Sequence, residues 1–162
     1  MASHQEWARA FARQANADWA ARSVILRHAE VPSCQQLHFL QMACEKLCKA
    51  HLYLYRASPQ RSHAYVAKNL PIIFKEVYQR RAGKRPSHGL YQKIRELSLK
   101  IERLAPAVSP ADNCEYPWED AGGQLRVPAE HDFGATEFTR QSAGVELLKL
   151  VPHAINDVLQ GK

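Results

Sequence analysis

Two short runs hold most of the chemically useful side chains in this sequence of 162 residues. The first is His38-Phe39-Leu40-Gln41-Met42-Ala43-Cys44-Glu45-Lys46-Leu47-Cys48-Lys49-Ala50. Its His38, Gln41, Glu45 and Lys49 stand three or four positions apart, which puts them in one polar stripe on a helix. Such a stripe either fastens a neighbouring segment or holds a ligand. Fastening is the stronger expectation, since hydrogen-bonding groups in a row gain by polarising one another when a segment covers them. The segment to be held would be 106–135. The second run, Arg80-Arg81-Ala82-Gly83-Lys84-Arg85, is the densest basic cluster. It would attract phosphates by steering and counterion release, with Arg80, Lys84 and Arg85 as binding residues. Cations also suit the C-terminus of a helix, where they complement its dipole, and that purely structural use has equal standing.

Two further groupings have a chemical and a structural reading. Cys44, Cys48 and His51 fall on one helical face and could present two thiolates and an imidazole to zinc. A fourth ligand is not evident, and cysteine is a common core residue. The expectation is therefore no metal and no cofactor. Trp118 lies in a polar, proline-rich stretch, where it either anchors a loop in the core or stacks on a ligand. Anchoring is preferred, because a long loop needs a tie. His131 and Asp132 are nearby polar groups without a pattern.

The elements that must position these residues read as helices. Residues 4–29 form the first, with Trp7, Phe11, Val24 and Leu26 as large apolar groups, and Val31-Pro32-Ser33 ends it. Ser33 is suited to cap a second helix over about 34–56, which stops near Ala57-Ser58-Pro59. A third lies within 63–82, kinked at Pro71 or starting there, with Gly83 as its C-terminal cap. Pro86-Ser87 opens a fourth over about 88–105, whose stripe is Leu90, Ile94, Leu97, Ile101 and Leu104. Residues 106–135 carry Pro106, Pro110, Pro117, Pro128 and Gly122-Gly123. They read as a long irregular excursion with a short hairpin near 123–127. Thr136 would cap a last helix over 137–159 that contains Pro152. The sum is a single all-α domain over 1–162, a bundle of about five helices with a long loop before the last.

Composition is that of a globular chain, with 46% apolar residues and no apolar run long enough to cross a bilayer. The amino-terminal stretch is polar and has no hydrophobic signal core, so a cytoplasmic location without membrane contact is expected. The 4 cysteines are too sparse for a disulfide framework. Charge is uneven. Residues 1–105 hold 18 Lys/Arg and 7 Asp/Glu, whereas 106–162 hold 4 and 9.

The pattern H-x-x-Q-M-A-x-E-K-x-x-K-A over His38–Ala50, followed by His63 at the start of the third helix, resembles the HEPN family (higher eukaryotes and prokaryotes nucleotide-binding). Asn113-Cys114-Glu115-Tyr116-Pro117-Trp118-Glu119-Asp120 is similar to an R-Y-P-D segment of one HEPN branch, with Glu115 standing where that branch has arginine. The resemblance covers roughly 5–160. It implies an up-and-down α-helical bundle, usually a homodimer. Family members include metal-independent ribonucleases of toxin–antitoxin and defence systems, inactive partners of nucleotidyltransferase-type proteins, and modules that bind RNA, nucleotides or proteins. Active members carry R-x(4–6)-H, in which histidine moves a proton of the 2′-hydroxyl and arginine holds the phosphate. Four pairs here satisfy that spacing: Arg22/His28, Arg56/His63, Arg81/His88 and Arg126/His131. Arg81/His88 is the best placed, beside the basic cluster, and is the catalytic pair the resemblance implies. Glu115 would repel phosphate. The expectation that follows is a non-catalytic binding module, with a ribonuclease using Arg81 and His88 as the alternative.

Overall fold

The computed structural model describes residues 2–55 and 64–161. His63, and with it Arg56/His63 and the stop at Ala57-Ser58-Pro59, lies outside the described residues. The chain is an all-α bundle of helices α1 (His4–Ile25), α2 (Ser33–Leu54), α3 (Val66–Ala82), α4 (His88–Arg103), the single turn α5 (Glu137–Arg140) and α6 (Ser142–Gln160). Among the described residues a small sheet pairs β1 (Trp118–Glu119) with β2 (Leu125–Arg126), antiparallel.

Local signals explain most element ends. Ser3 and Glu6 form a reciprocal capping box at the start of α1, with the Ser3 N–H donating to Glu6 Oε2 at 2.7 Å. Gly83 closes α3 at φ 67°, a left-handed conformation that favours glycine, and its N–H donates to the Gln79 carbonyl at 3.0 Å. Ser87 caps α4 by accepting from the Leu90 N–H at 3.2 Å. Pro71 and Pro152 both sit inside continuous helices.

Two expected caps do not form. Ser33 is the first helical residue, and Pro32 occupies the cap position without a side-chain bond. Thr136 has helical angles (φ −65°, ψ −21°) and caps nothing. It leads into the one-turn α5, and extended Gln141 (ψ 137°) then breaks the chain before α6. The last helix is thus two pieces.

α2 is the central element. From Gln36 to Tyr53 none of its residues is exposed, because α1, α3, α4 and α6 all pack on it. On the α1 side Ala8, Ala12 and Ala15 are fully buried, small enough for the two helices to approach closely. Leu40, Leu47, Phe74, Ile94, Ile101, Leu147 and Ile155 fill the middle.

The excursion folds back onto this core. The Cys114 N–H donates to the Leu104 carbonyl at 3.1 Å. Buried Asn113 accepts from the Glu115 and Tyr116 N–H groups through Oδ1. The hairpin runs from Trp118 to Arg126, beginning before the expected 123–127, because Asp120 organises its turn. Asp120 accepts from Gly122 N, Gln124 N and Arg126. Trp118 is buried at 6% exposure, edge-on to His131 at 5.1 Å and beside Phe133. It anchors the loop, as expected from its size and setting.

Candidate functional site

The basic junction is built by the way α3 stops and α4 starts. Gly83 turns the chain out of α3, and Ser87 restarts it four residues later. Lys84 and Arg85 are held on the short exposed link between them. Arg81 and His88, at the two ends of the link, are also exposed. The first turn of α4 carries no acidic residue, so the positive end of its dipole adds to the field of the cations instead of being answered locally. Among the described residues no carboxylate pairs with Arg81, Lys84, Arg85 or His88. Gln92 Nε2 lies 3.5 Å from His88 Nε2.

Arg80 behaves differently from its neighbour. Its guanidinium donates to Asp157 Oδ2 at 2.8 Å and ties α3 to α6. The five candidate residues therefore divide. Arg81, Lys84, Arg85 and His88 are each exposed, and Arg80 lines a cleft.

The polar stripe of α2 is buried. Gln41 and Glu45 are 1% and 3% exposed. Gln41 Nε2 donates to Glu45 Oε2 at 3.0 Å, and Lys49 Nζ donates to Glu45 Oε1 at 2.6 Å. The Lys49 ammonium also lies 5.9 Å from the centre of the Tyr65 ring. At the other end His38 Nδ1 stands 3.5 Å from Glu115 Oε1, a contact between α2 and the excursion. Glu115 thus faces a histidine within the protein.

Burial pushes the Cys44 thiol up to about 12 and Cys48 well above an ordinary thiol. His51 turns its Nε2 toward Glu76 Oε2, 3.6 Å away. Among the described residues no three His, Cys, Asp or Glu side chains converge as a metal would require.

Sequence reasoning missed the cleft that Arg80 faces. It has a volume of about 360 Å³ and lies between α2, α3 and α6, with Gln5 at its edge. Its polar groups are His51 and Tyr55 from α2, Glu76 and Arg80 from α3, and Asp157 from α6. The Tyr55 hydroxyl donates to the Glu76 carboxylate at 3.3 Å. Burial holds His51 below the usual imidazole range, with the Glu76 charge opposing and Arg80 reinforcing that shift. Glu76 and Asp157 carry no local motif, and only the packing of three helices brings them together. No helix among the described residues is long and apolar enough to cross a membrane. No protein-family model, curated protein or solved structure matches this chain.

Proposed function

We propose that the chain is a non-catalytic helical module of the HEPN type that binds phosphate-bearing ligands, RNA foremost, at the α3–α4 junction. The observation that carries this reading is the set Arg81, Lys84 and Arg85. They are exposed, stand at the end of α3 and on the link that follows it, and have no carboxylate partner among the described residues. Cations left unneutralised beside a helix N-terminus release counterions when phosphates replace them, which makes binding favourable and indifferent to base sequence. The resemblance of His38–Ala50 to HEPN proteins points the same way.

The geometry favours binding over cleavage. A general base needs a partner that fixes its ring and a site that excludes water. His88 is exposed, and no carboxylate orients it among the described residues. The test is fluorescence anisotropy with a labelled RNA oligonucleotide in low salt, without metal. The protein should bind and leave the RNA intact. The variant with Arg81→Ala, Lys84→Ala and Arg85→Ala should bind at least about tenfold more weakly, as loss of several phosphate contacts requires. Metal-independent cleavage that disappears in His88→Ala would replace this reading with the ribonuclease.

A further inference from the structure

We propose that the cleft between α2, α3 and α6 is a second, independent site, built for a small organic cation: an ammonium group on a compact apolar or aromatic body. The argument begins with charge. Two carboxylates, Glu76 and Asp157, share the cleft with one guanidinium, Arg80. Asp157 and Arg80 neutralise each other at 2.8 Å. Among the described residues Glu76 meets the Tyr55 hydroxyl, at 3.3 Å, and an imidazole at 3.6 Å whose charged form burial disfavours. Among those residues the cleft therefore holds one carboxylate without a permanent countercharge, and an anionic ligand would meet repulsion from two.

Hydrogen-bonding capacity points to the same ligand. His51 Nε2 is buried and has no hydrogen-bond partner, since 3.6 Å to Glu76 is too long. A buried polar atom left unpaired is costly. An ammonium brings three donors, for Glu76 and, in the tautomer with the proton on Nδ1, for His51 Nε2. The two groups lie on adjoining helices, 3.6 Å apart.

The body of the ligand is set by the walls. Leu47, Ile73, Val77 and Ala154 supply an aliphatic floor. The Tyr55 ring, edge-on to His51 at 4.7 Å and 64% exposed, stands at the rim. Among the described residues nothing covers most of this ring, which suits a cation or a flat ring. The volume falls in the range of small-molecule sites, about 300–1,000 Å³.

Benzylamine is the direct probe, titrated into the full chain at neutral pH and followed by two-dimensional NMR. Saturable shifts of α2, α3 and α6 amides near the cleft are expected. Benzyl alcohol and benzoate, of similar size, should each bind at least about tenfold more weakly, because they lack the cation that Glu76 recognises. Glu76→Gln keeps the shape and removes the charge, and should weaken benzylamine by about the same factor. Equal binding of benzyl alcohol, full affinity in Glu76→Gln, or no saturable shift with benzylamine would overturn the proposal. Should the variant fail to fold, the three-ligand comparison on the unaltered protein decides alone. Loss of RNA binding by Arg81, Lys84 and Arg85 variants would leave this outcome untouched, so the two sites are tested separately.

Discussion

Glu45 is a carboxylate 3% exposed at the centre of the bundle, and its two oxygens meet Gln41 and Lys49. A surface pair at this spacing contributes about 0.3–0.5 kcal/mol. Here removal of the carboxylate would leave a lysine ammonium and a glutamine amide facing each other in the interior. Glu45→Ala should therefore cost about 3 kcal/mol, the range for breaking a buried ion pair. Chemical denaturation would measure it. A loss below about 1 kcal/mol would mean that the stripe behaves as an exposed pair after all. The sequence made this stripe visible as an organised face, because spacing alone places residues on one side of a helix. It did not show that the face is inside, since that depends on four other helices closing around α2. Arg80 and Arg81 give the same lesson. They are indistinguishable as neighbours in a basic run, yet one pairs with Asp157, 77 positions away.

At the level of elements, boundaries set by one residue's backbone preference were legible. Gly83 and Ser87 act where they stand, through a left-handed turn and an N-cap. Ser33 and Thr136 have the right side chains, but a cap also needs an extended backbone ahead of the helix. Ser33 lies inside α2, and Thr136 adopts helical angles. The excursion was legible as a loop from its prolines, and its anchor from the size of Trp118. Its attachment was only partly so, because the Asn113 and Cys114 bonds engage backbone groups and the His38–Glu115 contact joins side chains 77 positions apart. Trp118→Ala should destabilise the protein by about 3 kcal/mol, as for other large buried aromatics. It should also make 106–135 the first site of proteolytic cutting. Limited proteolysis with mass spectrometry would report this, and an unchanged cleavage map would show that the backbone bonds suffice without the indole.

For the molecule as a whole, the bundle separates two kinds of polar chemistry. The interior stripe of α2 and the ion pairs between helices fasten the fold. At the junction of α3 and α4, Arg81, Lys84 and Arg85 stand exposed with no carboxylate partner among the described residues. The cleft, assembled from helices far apart in sequence, lay beyond any spacing argument. The net charge of +6 describes the chain, but the function proposed for it depends on where three cations of that surplus stand. The most direct test is the salt dependence of RNA binding. If Arg81, Lys84 and Arg85 each meet a phosphate, the logarithm of the binding constant should fall against the logarithm of salt with a slope of about −2. Lys84→Ala and Arg85→Ala should each make that slope shallower by about 0.7. A slope near zero, or one that neither substitution alters, would contradict the assignment of this junction as the phosphate-binding surface.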